Sequence, residues 1–294
     1  DKKRISKLNE DNFWSMGDTG PCGPCTEIFY DHGDSLEGSP PEEGKDTGDR
    51  FVEIYNIVFM QFNRDIEGNL KPLPKPSVDT GMGLERISAV MQGTPDNYQT
   101  DLFIPLIKKI SELTGEKDLL NPSLRVIADH LRASCFMISD GIAIGNEGRN
   151  YVLRRIIRRA LRHAYKLNSE NFYVMSKLAT YFSDTYKELY PEIEKNNSFI
   201  EKALHEEEEK FGATLNQGMS LLDEEVKKLK GKVISGDLAF RLYDTFGFPL
   251  DMTIDFAREN NLNVDIEEYE KLMDLQKTRA KESNTFSSLL PSSI

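Results

Sequence analysis

The residue types best suited to chemistry stand together in Val78-Asp79-Thr80-Gly81-Met82-Gly83-Leu84-Glu85-Arg86. A strand-like approach, Pro76 to Val78, meets two glycines one residue apart and runs into the helical pattern Leu84 to Met91. Glycines let a flat ligand lie against bare backbone. A helix start offers N–H groups, and Arg86 adds a cation in its first turn. That is hardware for a nucleotide. It is not a Walker loop, because no Gly-Lys-Ser/Thr follows, and it lacks the third glycine of a dinucleotide fingerprint. A plain strand-to-helix turn with Asp79 or Thr80 as N-cap is the alternative.

A second cluster lies in the stretch Asn150 to Lys166, where Arg154, Arg155, Arg158, Arg159, Arg162 and Lys166 recur at helical spacing. Val152, Ile156, Ala160 and His163 or Ala164 fall largely to the other side. No acid interrupts residues 148–169, so pairing within the helix cannot neutralise these arginines. Guanidinium clusters suit phosphate oxygens, as a docked nucleic acid presents. Acids from other helices, such as the run Glu206 to Glu209, would instead make the cluster a structural network. A third candidate, Cys22 and Cys25, is half of a zinc motif. Only Cys135 and the scattered His32, His130, His163 and His205 remain as partners, so no zinc site is expected. Pro21, Gly23 and Pro24 predict a rigid turn there, unsuited to redox chemistry.

These groups need scaffolding. The chain has 294 residues, 38% of them hydrophobic and 29% charged, enough for two domains with sizeable cores. It starts at Asp1 without a signal peptide and reads as part of something longer. Three cysteines fit a reducing, cytoplasmic setting, and no apolar run is long enough for a membrane span. The net charge of −12 disfavours polyanions on average, which leaves room only for a local basic face. Residues 1–96 read as α+β. Cys25–Tyr30 is a short strand, and Phe51–Asn63, β-branched and aromatic, is the strongest. Leu70–Leu73 can return beside it, held to an edge by Pro72, Pro74 and Pro76. Residues 97–285 read as helical throughout, with candidates at Thr100–Leu113, Ser123–Ser139, Tyr151–Leu167, Phe172–Tyr190, Phe199–Leu229, Gly236–Phe246, Leu250–Asn260 and Ile266–Ser283. In the longest, Leu204, Phe211, Leu215, Leu222, Val226 and Leu229 form a stripe for packing against neighbouring helices rather than for a coiled coil. Residues 286–294 read as a frayed tail.

Several ordered stretches now resemble one family. Asp11 to Ile28 (DNFWSMGDTGPCGPCTEI) and Glu53 to Phe62 (EIYNIVFMQF) are similar to segments characteristic of the alanyl-tRNA synthetases. Val78 to Arg86 resembles their class II motif 3, and Arg125 to His130, Tyr151 to Ala160 and Arg241 to Pro249 match further on. The resemblance spans nearly the whole chain. It implies a catalytic half-domain built on an antiparallel sheet, followed by an all-helical domain that recognises the tRNA acceptor stem.

The implied activity has two steps. Alanine attacks the α-phosphate of ATP, with magnesium, and the alanyl group then passes to the terminal adenosine of the alanine tRNA. By the family pattern Asp79 holds the alanine ammonium, while Trp14, Val58 and Gly81 wall the methyl pocket. Arg86 reaches the γ-phosphate, Gly83 gives the adenine room, and Glu53 helps carry magnesium. Asn146 and Asp244 match positions that read a G·U wobble pair, with the arginines of 154–162 beside them. The expected partners are therefore the tRNA acceptor stem, L-alanine and ATP, with no DNA and no membrane.

Two parts of the family pattern are missing from these residues. Motifs 1 and 2, including the arginine that clamps the α-phosphate, have no counterpart, and one such donor is worth about 2.7–4 kcal/mol. The chain alone is therefore expected not to activate alanine. The editing site's His-x-x-x-His pair is also absent, so hydrolysis of seryl-tRNA is not expected. The alternative reading is a non-catalytic module that binds the acceptor stem.

Overall fold

A computed structural model describes residues 2–42, 44–168 and 173–287, and of the tail expected at 286–294 the part from 288 lies outside them. The fold is α+β and separates into two compact units, Asp1–Pro105 and Leu106–Ile294.

The first unit is built on one antiparallel sheet in the order β1 (Phe13–Ser15), β2 (Gly20–Asp31), β3 (Phe51–Arg64), β4 (Leu70–Met82). The aromatic and β-branched run forms β3, the longest strand and, with β2, one of the two inner ones. The prolines do hold β4 at an edge, but they do not end it, because an edge strand needs donors on one side only. β4 therefore continues through Asp79 and Gly81, and helix α1 (Leu84–Gln92) starts only at an N-cap on Gly83. The alternative with Asp79 or Thr80 as N-cap is thus corrected.

The Cys22–Cys25 segment is corrected as well: it is strand, not a rigid turn. Trp14 lies opposite Gly23, and the pairing with β3 skips from Cys22↔Phe62 to Cys25↔Val58. This bulge brings the two backbones so close that a Cβ on Gly23 would sit 2.0 Å from the Phe59 carbonyl oxygen. Only glycine fits.

The second unit is helical, with α2 (Ile104–Thr114) leading into it. α3 (Pro122–Ser139), α4 (Gly148–Leu167), α5 (Met175–Tyr186) and α6 (Pro191–Lys228) follow. After a two-residue strand β5 (Val233–Ile234) come α7 (Gly236–Phe246) and α8 (Leu250–Glu259). β6 (Asn263–Val264), parallel to β5, precedes α9 (Ile266–Ser287). The long helix α6 begins eight residues earlier than Phe199, at Pro191. Proline fits the first helical position, and Glu192, Glu194, Lys227 and Lys228 match the helix dipole at its two ends. Of its stripe, Leu204, Phe211, Leu215 and Leu222 are buried against α3, α4, α5 and α7, whereas Val226 is half-buried and Leu229 stands at the C-cap, past the last helical residue. The stripe therefore packs inside the unit, as expected.

The buried face of α4 is Leu153, Ile157, Ala160, Leu161 and Ala164, whereas Val152 is exposed. The apolar face expected from Val152 and Ile156 is rotated by about one residue. That turn directs Arg158 and Arg162 toward neighbouring helices. Among the described residues no helix is long and apolar enough to cross a membrane.

Candidate functional site

The sheet register assembles the first site. Val58 lies opposite Asp79 and Asn56 opposite Gly81, while Cys25 and Glu27 of β2 oppose Val58 and Asn56. Directly opposed residues share a face and alternate residues return to it. An apolar residue, a carboxylate and a bare backbone position therefore lie side by side on one surface. Asp79 and Gly81 are exposed there, and a Cβ on Gly81 would meet nothing within 4 Å. Trp14 stands half-buried on β1, with β2 between it and Val58.

Strict alternation would put Glu53 on the opposite face from Asn56. A second irregularity prevents this: the pairing moves from Ile28↔Tyr55 to Phe29↔Glu53, so Ile54 is the extra residue. The phase flips and Glu53 joins the site. Asn56 Nδ2 donates to Glu27 Oε1 at 3.0 Å and to Glu53 Oε1 at 3.4 Å. Burial and the negative charges of Glu53 and Asp11 push the Glu27 carboxyl above its ordinary pKa. Asn56 Oδ1 is buried without a hydrogen-bond partner.

Two carboxylates and an unclaimed carbonyl oxygen are the hard ligands magnesium takes. Among the described residues no three His, Cys, Asp or Glu side chains form a metal cage. A magnesium ion here would thus share its coordination with phosphate and water, its usual habit. Arg86, in the first turn of α1, donates to Glu53 through its carbonyl at 2.8 Å and its carboxylate at 3.2 Å. A Cβ on Gly83 would come within 3.4 Å of Arg86 Cγ and Cδ, so the bare position leaves that side chain its path.

In the helical unit, the arginines expected to form an open basic face are paired inside the chain. Arg155 meets Asp251 at 3.7 Å, Arg159 meets Asp255 at 2.8 Å, and Arg162 and Lys166 share Glu259 at 3.0 Å each. These acids recur every four residues along α8, opposite the same periodicity on α4. Glu207 of α6 takes Arg154 at 3.5 Å and Arg158 at 2.6 Å. Of the two readings left open for this helix, the internal network describes its side chains. Arg162 is 3% exposed and Arg158 15%, whereas Arg155 and Arg159 keep 44% and 35%.

Asn146 and Asp244 both have local partners. Arg154 Nη1 donates to Asn146 Oδ1, and Gln276 Nε2 of α9 donates to Asp244 Oδ1. Arg158 Nη1 also donates to the carbonyl of Gly247, the C-cap of α7, at 2.6 Å. Gly247 has φ +69°, and a Cβ on it would lie 2.2 Å from that nitrogen.

Three residues of these sites went unassigned in the sequence, Glu27, Asn56 and Gln276, whereas Glu207 lies in the acidic run Glu206 to Glu209 named as a partner for the α4 arginines. Asp251, Asp255 and Glu259 were missed too, and the one signal that could have found them is their spacing of four, an acidic stripe complementary to α4. No comparable signal marks the other contacts.

The family model described as tRNA synthetases class II (A) matches residues 1–293. Among curated proteins, the chain is 57% identical to the alanine–tRNA ligase of Hydrogenovibrio crunogenus over 285 residues, which is 97% of this chain and 33% of that protein. It is 55% identical over 287 residues to the alanine–tRNA ligase of Psychromonas ingrahamii, again 97% of this chain and 33% of that protein. With that of Idiomarina loihiensis the identity is 52% over 284 residues, 96% of this chain and 33% of that protein. The chain thus spans about a third of the length of these relatives.

Proposed function

Because the chain belongs to the class II (A) tRNA synthetases, we propose that it is the part of an alanine–tRNA ligase that forms one wall of the alanyl-adenylate site and the RNA-facing helices. In this reading the first unit holds the second half of the aminoacylation domain, about residues 1–96. Residues 97–285 recognise the acceptor stem.

The observation that carries the reading is the pairing of Val58 with Asp79 beside that of Asn56 with Gly81. It sets an anion next to a small apolar wall, which suits an amino acid with an ammonium and a single methyl. Asp79 holds the ammonium. Val58 and Gly81 shape the methyl pocket, and Trp14 closes it from the β1 side.

Arg86 takes the γ-phosphate of ATP and Gly83 leaves space for the adenine. Glu53, with Glu27 and Asn56 beside it, would hold magnesium, which when bound neutralises phosphate charge. Positive charge aimed at the phosphates stabilises the charge that develops as pyrophosphate leaves.

On the helical side, Asn146 and Asp244 present an amide and a carboxylate to the amino and carbonyl groups of a wobble pair. Arg155 and Arg159, the more exposed of the five paired α4 arginines, face the phosphates. Arg154, Arg158 and Arg162 hold the surface in shape.

The test is alanine-dependent ATP–pyrophosphate exchange by the protein that carries this chain, compared with its Asp79→Asn variant. Loss of the ammonium's counter-ion lowers exchange by about a hundredfold or more. Exchange that depends on another amino acid, or is indifferent to the substitution, overturns the assignment. Acceptor-stem binding without any exchange favours the non-catalytic module instead.

A further inference from the structure

Asn146 lies in the loop before α4 and Asp244 in the last turn of α7, almost a hundred residues apart in sequence. To read one base pair together they need a fixed separation, and neither element supplies it alone. Arg154 fixes Asn146, an exposed residue, by donating to its side-chain oxygen, so that what this amide has to offer a ligand is its N–H groups. Arg158 fixes the end of α7 through the Gly247 carbonyl, three residues past Asp244. Both arginines, one helical turn apart on α4, converge on Glu207, which is 2% exposed and so out of reach of any RNA.

We propose that Glu207 is a positioning residue for RNA selectivity, locking through Arg154 and Arg158 the spacing between an exposed amide donor at Asn146 and a carboxylate acceptor at Asp244. Gln276 completes the arrangement by occupying Asp244 Oδ1, so that Oδ2 is left for the ligand. One donor and one acceptor at fixed separation fit a base pair with a free amino group and a free carbonyl. A G·U wobble pair offers the guanine 2-amino group in the accessible RNA groove, whereas in a G·C pair that amino group is already bonded. The inference rests on the assignment of Asn146 and Asp244 made above.

The experiment measures binding of two acceptor-stem duplex RNAs, identical except for one G·U or G·C pair, by the whole chain and its Glu207→Gln and Glu207→Asp variants. The wild-type chain prefers the G·U duplex. In Glu207→Gln the preference falls about tenfold, the scale of one misread pair. Glu207→Asp keeps the buried charge but pulls the carboxylate back, so it decides the matter if the glutamine variant fails to fold. An undiminished preference in a folded variant overturns the inference alone. So does an equal rise in affinity for both duplexes, the signature of released arginines binding phosphate. Equal binding of both duplexes by the wild type overturns the underlying assignment, and the inference with it.

Discussion

Arg86 reaches back 33 residues to donate to both the main-chain carbonyl and the carboxylate of Glu53. The cation proposed for phosphate and the anion proposed for magnesium thus neutralise each other when neither ligand is bound. Binding of magnesium–ATP would exchange this one pair for two, guanidinium with phosphate and carboxylate with metal. Glu53→Gln should then have opposite effects on the two forms of the nucleotide. The freed Arg86 binds metal-free ATP about two- to fivefold more tightly, the scale of an exposed ion pair. Affinity for magnesium–ATP falls. Calorimetric titration with and without magnesium checks this, and a uniform change in both affinities would reject the exchange.

Gly247 combines two constraints, a left-handed backbone and the guanidinium of Arg158 where a side chain would go. Gly115 has a similar φ, +81°, but nothing within 4 Å of a Cβ. Gly115→Ala should therefore cost only the backbone strain, about 1 kcal/mol. Gly247→Ala adds loss of a charge-assisted hydrogen bond and should cost about 3 kcal/mol in all. Urea unfolding of both variants measures the difference. Equal losses would mean that Arg158 adds nothing at the α7 cap.

Strand β3, the helical character of α4 and the stripe of α6 were all legible because local pattern determines them. The burial of one face rewards a period of two or of 3.6 residues. The bulge at Ile54 was not legible. A bulge depends on how two strands meet, and it alone moves Glu53 onto the face of Asn56. The same limit applies to α4. Its lack of acids was plain, but the counter-ions lie 49 to 97 residues on, at Glu207 and along α8. Nothing local distinguishes an arginine that will be paired from one that stays open.

That pairing predicts the behaviour of the α8 acids. Asp251 and Asp255 hold the two most exposed of the five arginines. Changing both acids to asparagine releases Arg155 and Arg159 toward solvent. Binding to any duplex RNA should tighten at low salt, and the plot of log affinity against log salt should steepen by about one unit per released arginine. Preference between G·U and G·C duplexes should stay as it was, because Glu207, Arg154 and Arg158 are untouched. An unchanged salt slope would mean that the arginines already contact phosphate through their present pairs, or never do.

Two buried groups give the helical unit opposing responses to pH. Glu208 of α6 caps the start of α5, accepting from Met175 N at 2.6 Å, Ser176 N at 3.2 Å and Ser176 Oγ at 2.5 Å. Burial nevertheless raises its carboxyl from 4.5 to about 7. The folded state holds that proton more tightly than the unfolded chain. Stability from this group is thus full below pH 4.5 and is lost as pH rises to about 7. His163 of α4, bonded to Ser123 Oγ, is lowered from 6.5 to about 4, first by burial and then by Arg162. Its stability is full above pH 6.5 and is lost as pH falls toward 4. Between pH 4.5 and 6.5 the two slopes oppose, and each variant should uncover the other. Glu208→Gln should be more stable than wild type by about 3 kcal/mol above pH 7, with that gain vanishing toward pH 4.5. His163→Leu loses the Ser123 contact at every pH, but its deficit should shrink as pH falls from 6.5. Urea midpoints of both variants and wild type, taken from pH 4.5 to 8, measure these differences. Curves that run parallel across the range would show that neither group titrates with folding.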